Sequence, residues 1–191
     1  MMRPLSQDFF AKDTLTVARE LLGHHLLMWN DDAGDFIRYR IVETEAYTQE
    51  DPSCHAFRGR KGRGAHLYGP PGMSYVYLIY GMYHCLNVVT EPDGRAGAVL
   101  FRALEPLDNS AGETRKTHGP GRLCKVLGIN TPEHNNLPFY TPDKPFFLSE
   151  GEAPAPEQII TTTRIGISIA QDYPWRFYIK DSPWVSVKAK R

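Results

Sequence analysis

The residues best suited to chemistry lie between Arg40 and Asn87. Two carboxylates, Glu43 and Glu45, interrupt the apolar run Arg40-Ile41-Val42-Glu43-Thr44-Glu45-Ala46-Tyr47. Strand alternation predicts Ile41, Glu43, Glu45 and Tyr47 on one face, with Val42, Thr44 and Ala46 on the other. A carboxylate partly withdrawn from water beside an aromatic ring has a raised pKa and suits acid–base work. The plainer alternative is a solvated face with ordinary surface acids. Downstream runs Tyr75-Val76-Tyr77-Leu78-Ile79-Tyr80-Gly81-Met82-Tyr83-His84-Cys85-Leu86-Asn87. Tyr75 and Tyr77 fit a half-buried strand as readily as a ligand wall. Tyr80 falls at the tip of an expected hairpin, where an exposed aromatic is available for insertion between bases. Between the two runs lie Arg58, Arg60, Lys61 and Arg63, a phosphate clamp or simply a soluble loop. Gly59, Gly62 and Gly64 would let its backbone approach a ligand closely. Together these residues suit a flat aromatic ligand on a phosphate backbone, with an acid group beside it.

Other chemistries find less support. His55, His66, His84, Cys54 and Cys85 include no Cys-x-x-Cys or His-Glu-x-x-His spacing, and adjacent Cys-His pairs point to opposite strand faces. Neither a metal nor another cofactor is therefore expected. Gly-x-Ser-x-Gly, the Walker loop and the dinucleotide fingerprint are missing from the sequence. Cys54, Cys85 and Cys124, odd in number and unrelated in spacing, read as free thiols of a reducing cytoplasm. The 22 basic and 22 acidic residues cancel, unlike the positive balance usual in nucleic-acid binders. The field that matters is local, however, and no acid opposes the Arg58–Arg63 run. No apolar stretch approaches the roughly 20 residues of a membrane span, and the first residues lack a secretory signal.

Elements that could position these groups follow from pattern. Asp13 is placed to cap a helix carrying Leu15, Ala18, Leu21 and Leu22, with Gly23 as its stop. Strands are predicted over residues 24–29 and 36–47. Residues 48–74, with Pro52, Pro70, Pro71 and several glycines, read as one long functional loop. Residues 75–80 and 84–90 form a hairpin, Pro92-Asp93-Gly94 a turn, and residues 97–104 the next strand. A short helix over 122–127 is opened by Gly119-Pro120-Gly121 and closed by Gly128. Residues 131–158 read as a proline-rich connector, and 165–169, 176–180 and 184–187 as late strands. With no internal repeat, this predicts one α+β domain over residues 1–191: a curved, mainly antiparallel sheet, peripheral helices and a protruding hairpin.

Several of these runs, in order, carry a family resemblance. Glu43-Thr44-Glu45-Ala46-Tyr47, Tyr77-Leu78-Ile79-Tyr80-Gly81-Met82 and Arg102-Ala103-Leu104-Glu105-Pro106-Leu107 resemble the alkyladenine (3-methyladenine) DNA glycosylase family. Gly119-Pro120-Gly121-Arg122-Leu123-Cys124 and Ser182-Pro183-Trp184-Val185-Ser186-Val187 match as well, so the likeness runs from about Phe9 to Val187. It implies an enzyme that flips a damaged purine out of duplex DNA and hydrolyses its N-glycosidic bond, leaving an abasic site. Glu45 then matches the catalytic carboxylate that deprotonates water for attack on C1′. Arg102 and the main-chain carbonyl of Ile165 match the groups that help hold that water.

The resemblance also makes Tyr47 and Tyr77 aromatic walls, and His55 a third wall and hydrogen-bonding partner. Asn87 matches the floor residue that clashes with the 2-amino group of guanine. Tyr80 matches the wedge filling the gap in the stack, with Met82 and Tyr83 beside it on the DNA side. A positively charged alkylated purine is a better leaving group and stacks more strongly on electron-rich rings. No lysine occupies the nucleophile position, which implies hydrolysis without strand cleavage. The partner is duplex DNA containing a damaged purine, met by a cytoplasmic monomer working at the nucleoid, with abasic-site repair enzymes downstream. One departure stands out: Gly59-Arg60-Lys61-Gly62-Arg63-Gly64 replaces the usual Gly-Arg-Thr-x-Arg-Asn, keeping the charge but not the threonine or asparagine. Two other readings compete. A non-enzymatic module would use the tyrosines and basic loop for stacking alone, and a His/Cys metallohydrolase would need a metal.

Overall fold

One long strand, β2 (Asp35–Thr48), organises the molecule. It pairs with β5 (Gly97–Pro106) along one edge and, on the other, with β1 (His25–Asn30) and then β8 (Arg176–Ile179). The structure is a computed structural model describing residues 2–108, 117–143 and 145–189. Its antiparallel sheet has the order β3 (Ser74–Ile79), β4 (Tyr83–Val89), β5, β2, β1, β6 (Phe146–Ser149), with β7 (Ile159–Thr162) joined through β8. Among the described residues, four short α-helices are peripheral: α1 (Gln7–Phe10), α2 (Thr14–Glu20), α3 (Pro120–Val126) and α4 (Thr131–His134). The sheet curls into a half-barrel, the α+β architecture expected from the sequence.

The register of β2 corrects the simple alternation. Between Ile41 and Thr44 the pairing with β5 is irregular: the register slips at Glu43 and is restored at Thr44, with one extra residue on each strand. Such irregularities interrupt the regular alternation of side chains between faces. Ile37, Tyr39 and Ile41 therefore join Ala46 in the main core, and Ile41 does not share the face of Glu43 and Glu45. On the core side α2 packs across β2, capped by Asp13, whose carboxylate accepts the Thr16 N–H at 3.0 Å. The Thr44 hydroxyl donates to the Ala18 carbonyl at 2.7 Å, so this buried polar group is satisfied. Phe10, Phe101, Phe139, Phe146 and Phe177 fill the interior.

Other expectations shift for identifiable reasons. The helix capped by Asp13 ends at Glu20, short of Gly23. The 131–158 connector contains α4 and β6, and β7 begins just after it. The long 48–74 loop holds a 3₁₀ helix, Gly62–Tyr68. Neither 165–169 nor 184–187 is a strand. Their backbone is used elsewhere: the Ile165 N–H donates to Glu45 and the Ser186 N–H donates to Glu43. An amide committed to a buried carboxylate cannot also serve a ladder. Cys54, Cys85 and Cys124 are buried, unpaired thiols. No described helix is long and apolar enough to cross a membrane.

His24, entering β1, gives the fold a sensitivity to acid. Its Nδ1 accepts the Gly151 N–H at 3.0 Å, tying β1 to the turn after β6. Burial, followed by the neighbouring His25, lowers its pKa from the ordinary 6.5. Below pH 6.5 the unfolded chain therefore binds a proton that the folded chain resists. The stabilisation is complete above that pH and is lost as the pH falls through the window beneath it. The unfolding temperature should drop between pH 7 and pH 5, and His24→Gln, whose amide oxygen can still accept from Gly151, should flatten that slope. An equal slope in thermal denaturation of both proteins would rule this out.

Candidate active site

Both strand carboxylates are fully buried, at 0% exposure, which excludes the surface-acid alternative. A buried carboxylate must be paired and hydrogen-bonded. Glu43 Oε1 accepts from Arg176 Nη1 at 2.7 Å and from the Ser186 hydroxyl at 3.0 Å, and Oε2 accepts the Ser186 N–H at 2.7 Å. Arg102, on β5, lies between the two acids, with Nε 3.4 Å from Glu43 Oε1 and Nη1 3.3 Å from Glu45 Oε1. Glu45 Oε1 also accepts the Ile165 N–H at 2.8 Å, and Oε2 accepts the Tyr47 hydroxyl at 2.7 Å. Two carboxylates and two guanidinium groups thus form a neutral buried cluster. Each oxygen of Glu45 accepts one hydrogen bond, from Ile165 or Tyr47, with Arg102 at ion-pair distance.

Tyr47, Tyr77, His55 and Asn87 come together, with Tyr75 and Cys54, around a narrow cavity of about 30 Å³. The β3–β4 hairpin supplies Tyr75, Tyr77 and Asn87, with Tyr75 opposite Asn87 in the register. Asn87 donates through Nδ2 to the Tyr75 carbonyl at 3.0 Å, which fixes its amide plane. His55 packs its edge on Tyr77, with centroids 4.7 Å apart and planes at 76°. Its Nδ1 lies 2.7 Å from the Tyr75 hydroxyl. Burial, then the charge of Arg63, lowers the His55 pKa and favours the neutral ring. Burial, then the Glu45 charge, pushes the Tyr47 hydroxyl well above its ordinary range, so it remains a donor.

A second, open hollow of about 420 Å³ adjoins the cluster. Its lining includes Tyr80 and Tyr83 from the hairpin, Arg102, Arg122 and Ser186. At the hairpin tip the Met82 N–H donates to the Ile79 carbonyl at 3.2 Å, with Tyr80 at φ 50° and Gly81 at φ 70°. Two successive positive φ angles define a type I′ turn, whose twist suits a tight hairpin. Tyr80 is 84% exposed, Met82 69% and Tyr83 36%, an apolar tip projecting from the sheet.

The basic loop is built differently from the sequence expectation. Arg58, Arg60, Lys61 and Arg63 are exposed. Arg63 stands 5.8 Å over the Tyr77 ring and Arg60 5.9 Å over Tyr68. Gly64 serves its own chain rather than a ligand: a Cβ there would lie 2.4 Å from the His55 carbonyl oxygen. Gly59 and Gly62 supply positive φ angles where the loop turns.

Sequence reasoning missed three participants and left Tyr75 open between a strand residue and a ligand wall, although period two places it on the Tyr77 face. Arg176, Arg164 and Asp51 offered no local signal, since each matters only through a partner distant in sequence. The Arg164 guanidinium forms a buried bidentate pair with Asp51 and donates to the Ala46 carbonyl at 3.0 Å. Among the described residues, no group of three His, Cys, Asp or Glu side chains could hold a metal.

The curled antiparallel sheet thus links a buried carboxylate, through Tyr47 and Arg102, to the linings of an aromatic cavity and an open hollow. The chain belongs to the methylpurine-DNA glycosylase family, whose model matches residues 8–183. It is similar to three bacterial proteins provisionally named 3-methyladenine DNA glycosylase. The Carboxydothermus hydrogenoformans protein is 42% identical over 193 residues, covering 96% of this chain and 99% of the relative. That of Anaeromyxobacter dehalogenans is 46% identical over 186 residues, covering 95% and 85%. That of Legionella pneumophila (strain Corby) is 43% identical over 189 residues, covering 97% and 99%. Family membership makes the chain a hydrolase of N-glycosyl bonds in DNA. The stacking-module and metallohydrolase readings give way to it.

The cluster generates one prediction of its own. Glu43→Ala removes the acid that balances Arg176 and leaves that cation buried. Breaking a buried pair in this way costs about 3–5 kcal/mol. Urea denaturation should report a loss of that size, and a loss below about 1 kcal/mol would contradict the assigned role.

Proposed function

We propose that this chain removes alkylated or deaminated purines from duplex DNA by flipping the base into the aromatic cavity and hydrolysing its glycosidic bond with a water activated by Glu45. One observation carries the reading. Glu45 links the linings of the two hollows, bonded to Tyr47, which lines the cavity, and ion-paired with Arg102, which lines the open one. A base in the first and its sugar-phosphate in the second would bring C1′ beside the carboxylate.

Each element then has a task. The Glu45 carboxylate takes the proton of the attacking water, while Arg102 and the Ile165 N–H hold the carboxylate in place. The Ile165 carbonyl is the proposed second anchor for the water. Flipping costs a few kcal/mol of unstacking, least for damaged bases. Tyr80 offsets it by occupying the vacated space, with Met82 and Tyr83 against the neighbouring nucleotides. Tyr47, Tyr77 and His55 form the walls, and the rings must part to admit a purine. Asn87, fixed by Tyr75, forms the floor and excludes the 2-amino group of guanine. Arg58, Arg60, Lys61 and Arg63 face the phosphates. No lysine lines either hollow among the described residues. Hydrolysis to an abasic site therefore fits better than lyase chemistry. The unit acts as a monomeric domain, needs no cofactor, and passes its product to abasic-site repair enzymes.

Removing a general base costs about 10²–10⁴-fold in rate. Glu45→Gln should lose that much excision of ethenoadenine from a duplex oligonucleotide in metal-free buffer while still binding it. Wild-type excision by Glu45→Gln would refute the mechanism. Stacking of one aromatic on a base is worth about 1–3 kcal/mol. Tyr80→Ala should accordingly bind the same lesion duplex on the order of tenfold more weakly, and unchanged affinity in a gel-shift titration would remove the wedge assignment.

A further inference from the structure

Arg164 is a fully buried cation that the excision mechanism does not use. Its guanidinium carbon lies 4.7 Å from the centre of the Tyr47 ring, 5.1 Å from Trp175 and 5.9 Å from Tyr173. Arg164 stands over one face of the Tyr47 ring, and it is Tyr47, not Arg164, that lines the aromatic cavity. Asp51 balances the charge overall through its pair with Arg164, 3.1 Å from Nη2 to Oδ1. It is the guanidinium, however, that meets the ring.

We infer that Arg164 is a specificity-determining residue: by occupying the rear face of Tyr47 it reduces the attraction of that wall for positively charged purines and shifts the site toward neutral lesions. This rests on the excision reading above. The physical reason is that an aromatic ring attracts a cation through the negative potential of its face. A guanidinium on one face draws on that potential and repels a second cation across the ring. A neutral purine stacks by dispersion and area burial and is little affected. The Tyr47 hydroxyl senses the same field, since Arg164 alone among its neighbours favours the ionised form, against burial and Glu45. Discrimination in favour of cationic bases is thus left to Tyr77, whose ring meets the exposed Arg63 at 5.8 Å.

The test compares duplexes carrying 7-methylguanine, a cation, and hypoxanthine, a neutral base, by single-turnover excision at subsaturating enzyme. The readout is the ratio of the two efficiencies. Removing the pair together in Asp51→Asn/Arg164→Met avoids leaving a lone buried charge, and should raise the 7-methylguanine to hypoxanthine ratio at least threefold. Asp51→Asn alone leaves the cation less compensated and should lower that ratio. Arg164→Lys, which keeps the charge, should stay within twofold of wild type. A merely structural role would slow both excisions equally and move the ratio in neither direction. An unchanged ratio in either folded Asp51 variant overturns the inference, and so does movement of both in the same direction. Should the double variant not fold, Asp51→Asn decides alone. Failure of the wild-type protein to excise either base would instead overturn the excision reading itself.

Discussion

Everything near the site depends on charge balance at the bulge of β2. Placing two carboxylates in a closed interior carries a desolvation penalty of several kcal/mol per ion, tolerable only with close partners. Arg102 and Arg176 supply the opposing charges, and Ser186 adds two hydrogen bonds to Glu43. This divides the work between the acids. Glu43 is tied into the scaffold, whereas Glu45, two residues along the same strand, is held by Arg102, Ile165 and Tyr47. Two glutamates in one motif thus acquire different environments through their partners alone.

How far this was legible depended on the range of the interactions involved. The β3–β4 hairpin, the exposed Tyr80 tip and the α2 cap were readable because neighbours in sequence decide them. The bulge was not, because strand alternation assumes an unbroken ladder, and only the pairing with β5 reveals the irregularity. That is why Ile41 was grouped with the wrong face. Residues 165–169 and 184–187 have strand-like composition, yet Ile165 and Ser186 direct their amides to carboxylates more than a hundred residues earlier. Propensity cannot detect a partner so remote. The roles given to Glu45, Tyr47, His55, Tyr77 and Asn87 came from family resemblance. Position supports them to this extent: the last four line one cavity, and Glu45 bonds to its wall.

The aromatic cavity shows how a local sequence feature can serve two purposes. Alternation along β3 places Tyr75 and Tyr77 side by side, but they differ in use. The Tyr75 hydroxyl holds His55 and its carbonyl holds Asn87. Tyr77 offers its ring to the cavity and to Arg63. The Gly62–Tyr68 helix fits against His55 only because Gly64 has no side chain. The position of His55 thus depends on a loop whose arginines face outward.

The span between Glu43 and its partners also constrains how the molecule can be made. Arg176 and Ser186 lie 133 and 143 residues beyond Glu43. Until they arrive, the acids at the bulge have strong reason to stay hydrated, which opposes closure of the sheet around them. Contacts of such separation form late and slowly, after the chain entropy of a long loop has been given up. Drying of the interior around Glu43 is thereby coupled to the arrival of Arg176 and Ser186, so the partners that complete the charge balance also close the half-barrel around the site.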